Sequence, residues 1–100
     1  AVQIKWPNDI LIEGRKVAGI LTELNAEVDR VKYVILGIGV DVNLVDDDLP
    51  EELKSVATSV RIASGQKVDR PALAAAILEE LDLDYDRLNR GEFKAVAEEW

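Results

Sequence analysis

The sequence predicts an α+β fold: a mainly antiparallel or mixed β-sheet followed by helices packed on one face. Two observations carry this expectation. Short runs of β-branched and apolar residues, separated by turn residues, fill about positions 2–44. From about position 50 onward, apolar residues recur at helical spacing instead. The change falls near Asp46, and a run of strands followed by a run of helices is the order of an α+β chain.

The elements follow in order. Val2 to Trp6 reads as a short strand, ended by Pro7, which holds Trp6 extended and cannot donate to a ladder. Pro7-Asn8-Asp9 is a turn, Ile10-Leu11-Ile12 a second strand, and Glu13-Gly14 a hairpin turn. Lys16 to Leu24 is the third strand, Asn25 to Arg30 a polar turn, and Val31 to Leu44 the longest strand. Asp46-Asp47-Asp48 is a loop. Pro50-Glu51-Glu52-Leu53 opens a short helix, with proline and acids in its first turn. Asp69 caps a longer helix from about Arg70 to Arg90, whose Leu73, Ile77, Leu81, Tyr85 and Leu88 form an apolar stripe. Gly91 stands where a helix-ending glycine belongs, and Glu92 onward is another helix. Both ends read as the interior of an element, so the 100 residues are expected to be a piece of a longer protein.

Composition narrows the chemistry. The chain has no cysteine and no histidine. That removes disulfides, thiol nucleophiles, Ser-His-Asp triads and Cys/His zinc sites. Twenty acidic residues against twelve basic ones give a net charge of −8, which argues against broad nucleic-acid binding by this segment. No apolar run is long enough to span a membrane. A reducing, cytoplasmic setting fits the missing disulfides.

Three segments could carry chemistry. At the strand period of two, Lys32, Val34, Leu36, Ile38, Val40, Val42 and Leu44 share one face, which reads as core. Tyr33, Ile35, Gly37, Gly39, Asp41 and Asn43 share the other. Two bare positions on one face leave room for a ligand, or else mark a bulge or tight packing. Gly37-Ile38-Gly39 lacks the third glycine and the following helix of a dinucleotide fingerprint. In Lys16-Val17-Ala18-Gly19-Ile20-Leu21, the ammonium of Lys16 can neutralise a carboxylate or phosphate, or simply point into water. Asn8 and Asp9 put an amide and a carboxylate on a constrained turn. Thr58-Ser59 gives no chemical signal, and Asp82, Asp84 and Asp86 read as a solvated helix surface.

These segments resemble one family. Lys5-Trp6-Pro7-Asn8-Asp9-Ile10, then Lys16-Val17-Ala18-Gly19-Ile20-Leu21, then Gly37-Ile38-Gly39-Val40-Asp41-Val42-Asn43 are similar in order and spacing to the motifs of biotin–protein ligases. Ala57-Thr58-Ser59-Val60 resembles a further block, and the helical tail from Arg70 to Trp100 has the family's look. The resemblance implies that residues 1–100 are part of a catalytic domain, its C-terminal half. It implies ATP, Mg²⁺ and biotin as substrates and activating ion. Biotin becomes biotinyl-5′-adenylate, and a lysine of a biotin carboxyl carrier protein then takes the biotin.

Carried over residue by residue, Lys16 matches the lysine at the carboxyl end of biotin and the adenylate. Asp9 matches an aspartate near the reacting centre, and Asn8 supports the turn or touches the nucleotide. Gly19, Gly37 and Gly39 let ligand and backbone approach, while Asp41 and Asn43 lie on the nucleotide side. The family usually has Asn where this chain has Asp41. A carboxylate only accepts hydrogen bonds, so Asp41 binds metal, reads a donor on the adenine, or marks weakened activity. The family's loop over the adenylate and its biotin-ring residues lie upstream of these motifs, so the 100-residue chain alone is expected to be inactive. Homodimerisation is implied by resemblance only. A lipoate-type ligase and a non-catalytic, ligase-like dimerisation or regulatory module are the alternatives.

Overall fold

A computed structural model describes residues 1–99; the expected helix reaches Trp100, which lies outside the described residues. It divides into two compact units, Ala1–Val68 and the residues from Asp69 onward.

The first unit is built on four strands: β1 (Val2–Lys5), β2 (Asp9–Ile12), β3 (Arg15–Ala26) and β4 (Val31–Val40). They lie in sequence order, every neighbouring pair antiparallel, the arrangement that short hairpin turns permit. Glu13-Gly14 joins β2 to β3 with both residues at positive φ (51° and 76°). Glycine takes that geometry without cost at position 14. A single 3₁₀ turn, Glu51–Leu53, replaces the expected short helix at Pro50, and another, Asp46–Asp48, stands where a loop was expected. A five-residue helix, α1 (Val60–Ser64), follows. It is too short for a periodic pattern to reveal.

The longest strand is β3; β4, expected to be the longest, ends at Val40 rather than Leu44. Its apolar alternation continues to Leu44, but its backbone partners change. The Asp41 and Val42 carbonyls accept from the N–H groups of Val60 and Arg61, 2.9 and 2.8 Å away. The expected core face is also only partly realised. Ile38 and Val40 are half-buried, whereas Val34 and Leu36 are exposed. The buried residues are instead Val17 and Ala18 near the start of β3, and Leu49, Thr58 and Ser59 beyond β4.

The second unit is helical. Its long helix, α2 (Arg70–Asn89), is capped by the Asp69 carboxylate accepting from Ala72 N–H, as the sequence suggests. It ends at Gly91, φ 79°. There Glu92 N–H bonds the Arg87 carbonyl and Gly91 N–H the Leu88 carbonyl, the paired bonds of a Schellman ending. α3 (Phe93–Glu98) follows. Arg87 bridges Asp84 (3.2 Å) and Glu99 (2.8 Å). The half-buried stripe of α2 runs Leu73, Ile77, Leu81, Asp84, Arg87. Tyr85 and Leu88, expected on it, are exposed; in the last turns the half-buried positions are instead Asp84 and Arg87, the latter paired with Glu99 just past α3.

Candidate active site

The site is made by a fault in the ladder between β2 and β3. Ile10 pairs with Ala18, but Leu11 pairs with Lys16, so Val17 is an extra residue on β3. Such a bulge breaks the alternation of faces. Its first consequence is that neighbouring Val17 and Ala18 are both buried. Its second is that Lys16 and Gly19, three apart, come together. A Cβ at position 19 would lie 3.4 Å from Lys16 Nζ and 3.9 Å from Asp9 Oδ1. In a regular strand, residues three apart face opposite ways.

Register supplies the other members. Asp9 pairs with Gly19, and Gly19 with Gly39, so an aspartate and two bare positions form a row across three strands. Gly37 pairs with Leu21, one step along the same face. Asn8 is held over the row because its carbonyl accepts from Ile20 N–H at 2.9 Å. Lys16 Nζ stands 3.3 Å from Asp9 Oδ1, with the lysine side chain 52% exposed and the aspartate 28%. The ammonium is thus reachable from solvent yet fixed in direction.

Two adjoining depressions open on this face. One, of about 470 Å³, is lined by Asn8, Asp9, Lys16 and Gly19 with Gly37 and Gly39, and by Ile20, Leu21 and Ile38. The other, about 400 Å³, is lined by Lys16, Ala18, Gly19, Gly39, Val40 and Asp41. Both volumes are in the range of small-molecule sites. Lys16, Gly19 and Gly39 border both, so the ammonium stands where two ligand groups could meet. Nothing lies within 4 Å of a Cβ built at Gly39, so packing does not require a glycine there and the bare position leaves open space.

Six of the residues singled out from the sequence join Lys16 in this arrangement or on its rim: Asn8, Asp9, Gly19, Gly37, Gly39 and Asp41. Asn43 does not. Its amide donates to the Val68 carbonyl and accepts from Val68 N–H, both at 2.8 Å, so both polar ends are used within the protein. Sequence reasoning assigned no role to Thr58 and Ser59, where Thr58 N–H donates to the Lys16 carbonyl and the Ser59 hydroxyl to the Leu44 carbonyl. Serine ahead of a helix was the available signal, but five helical residues gave no periodicity to mark the start.

Comparison with known proteins fits this geometry. Residues 1–41 match the biotin/lipoate A/B protein ligase family. The chain is 57% identical over 75 residues to the bifunctional ligase/repressor BirA of Bacillus subtilis, covering 75% of this chain and 23% of that protein. It is 38% identical over 79 residues to the biotin–[acetyl-CoA-carboxylase] ligase of Mycobacterium tuberculosis, covering 79% and 26%. The apo biotin protein ligase of Aquifex aeolicus superposes with a TM-score of 0.72 at 31% identity, over 86% of this chain and 36% of that one. The same Aquifex enzyme in complex with biotin and ATP gives 0.69, over 86% and 34%.

The family match, the identities and the shared sheet therefore place the chain as a segment of the biotin/lipoate protein ligase class. Within that class the chain belongs with the biotin–protein ligases. It spans about a quarter of the length of the curated relatives it matches.

Proposed function

We propose that the protein containing this chain activates biotin with ATP to biotinyl-5′-adenylate and transfers biotin to a lysine of a biotin carboxyl carrier protein. The observation that carries this reading is Lys16 standing between two depressions, paired with Asp9 and faced by bare glycines. Adenylate formation brings an anionic carboxylate against an anionic phosphate. A cation at the junction offsets their repulsion and the charge that develops in the transition state. Gly19, Gly37 and Gly39 let the ligand approach the strands, and the Asn8 turn borders it. In the second step, Asp9 accepts a hydrogen bond from the incoming lysine amine and orients it toward the mixed anhydride. Asp41 lies on the nucleotide side, and Asn43 serves that side by holding the backbone that follows Asp41.

Among the described residues no cluster of three or more acidic side chains could hold a metal. Mg²⁺ therefore fits only as a companion of the nucleotide, with Asp41 as a carboxylate in reach. There it would neutralise phosphate charge while keeping most of its water and phosphate ligands. This role also answers the cost of a carboxylate beside a phosphate.

The assembly is proposed to be a cytoplasmic homodimer, supported by the apolar residues that β3 and β4 leave exposed. No described helix is long and apolar enough to cross a membrane. With a charge of −8, this segment is assigned no nucleic-acid contact. The test is ATP–pyrophosphate exchange by the complete gene product. Exchange with biotin and not with lipoate supports the reading. Exchange with lipoate alone replaces it with a lipoate-type ligase, and none at all with a non-catalytic module.

A further inference from the structure

The most deeply buried side chains belong to neither depression. Thr58 is 1% and Ser59 0% exposed, and the segment they occupy runs between the two walls of the site. On one side it grips Lys16 by the main chain. Lys16 N–H donates to the Val56 carbonyl at 2.8 Å, and Thr58 N–H donates to the Lys16 carbonyl at 2.9 Å. On the other side it grips the residues after β4. The first N–H groups of a helix have no partner inside the helix. In α1 the N–H groups of Val60 and Arg61 donate to the carbonyls of Asp41 and Val42. Ser59 caps that same turn, its Oγ accepting from Ile62 N–H at 3.0 Å. Capping uses only an acceptor. The Ser59 hydroxyl also donates, at 2.6 Å, to the carbonyl of Leu44. That second bond adds nothing to the cap; it ties the start of α1 to the 41–44 segment.

We infer that Ser59 is a positioning residue for the nucleotide side of the site, fixing the 42–44 segment and with it the course of the chain as it leaves Asp41. This rests on the ligase reading above. Lys16 is held by backbone bonds that do not involve the Ser59 hydroxyl, and Asp41 N–H is anchored on the Val17 carbonyl at 2.9 Å, so loss of that hydroxyl loosens the chain that follows Asp41 and spares Lys16. A hydroxyl serving only to keep the protein folded would behave differently. Its loss would lower the folded fraction, scaling kcat and leaving both KM values alone.

Ser59→Gly separates the two roles, since glycine is nearly as good a cap as serine but cannot reach Leu44. In the complete gene product, Ser59→Gly and Ser59→Ala are expected to raise the KM for ATP in biotin-dependent exchange. The rise is about tenfold, the factor for one net hydrogen bond, with the KM for biotin unchanged. Amide hydrogen exchange is expected to quicken at Val60 and Arg61, whose N–H groups bond the Asp41 and Val42 carbonyls, and not at Lys16–Ala18. A fall in kcat with both KM values unchanged, or faster exchange spread evenly over the unit, overturns the inference. Should the wild type show no biotin-dependent exchange, the ligase reading fails, while amide exchange in Ser59→Gly still decides whether the tether exists.

Discussion

Lys16 and Asp9 form an ion pair at 3.3 Å, but one half open to water contributes little to stability, on the order of 0–1 kcal/mol. Their joint value lies in placement. Lys16→Ala should therefore leave the melting temperature almost unmoved while lowering biotin-dependent exchange by about a hundredfold, on the order of 3 kcal/mol. Unchanged exchange in that variant would remove Lys16 from the mechanism. The glycines divide into two kinds. At position 19 an added methyl lies in van der Waals contact with Lys16 Nζ at 3.4 Å and fills the space beside the ammonium, so Gly19→Ala is expected to lower kcat/KM by about tenfold. At position 39 an added Cβ meets no protein atom within 4 Å. Gly39→Leu is thus expected to fold normally yet fill the ligand space, raising KM at least tenfold, roughly 1.4 kcal/mol of lost binding. Calorimetry beside steady-state kinetics on these two variants tests the division. The glycine face was legible in the sequence, because two bare positions at strand period stand out. That Gly39 faces open space and Gly19 faces an ammonium was not, because the difference depends on the neighbouring strand.

Element boundaries were legible where local chemistry sets them. Asp69 caps α2 and Gly91 ends it, since a cap and a left-handed residue act within a few residues of chain. Gly91 has open space around it and φ 79°, so Gly91→Ala should cost about 1 kcal/mol through backbone conformation alone, seen as a lower helix melting temperature. A larger loss would imply a contact the structure does not contain. The α2–α3 turn also carries a pH dependence. The Arg87 guanidinium, hydrogen-bonded to Glu99, holds that carboxylate below its ordinary value of 4.5. A lowered folded pKa means the stabilisation is fully present above the unfolded value and is lost as pH falls through the lowered one. Amide protection in α3 should therefore hold at neutral pH and decline below 4.5, modestly because the pair is solvent-exposed. In Glu99→Gln this acid step should vanish; its persistence would assign the change to another group. β4 was misread at its end because side-chain period persists after the backbone has changed partners.

At the scale of the whole molecule, few apolar side chains among the described residues are buried: Val17, Ala18 and Leu49. Many larger ones remain exposed, among them Val2, Ile4, Leu21, Leu24, Val34 and Leu36. Burial supplies most of the stabilisation of a domain. The isolated 100-residue chain is therefore expected to melt without a sharp transition, to bind an apolar dye, and to show no biotinylation of a carrier protein. A cooperative melt with no dye binding would mean that these surfaces are satisfied within the chain or by self-association, which sedimentation would distinguish.

The sequence by itself determined the order of strands and helices, the caps of α2, the glycine face and the motif set that marks a biotin–protein ligase. These are carried by local propensity, by periodicity and by residue order, which need no knowledge of distant neighbours. Only the tertiary structure decided that Lys16 stands over Gly19, that Asn43 spends its amide on Val68, and that Ser59 ties down the chain that follows Asp41. The physical reason is the same in each case. A one-residue bulge reverses which face a side chain takes, and a hydrogen bond between segments far apart in sequence leaves no periodic trace in either one.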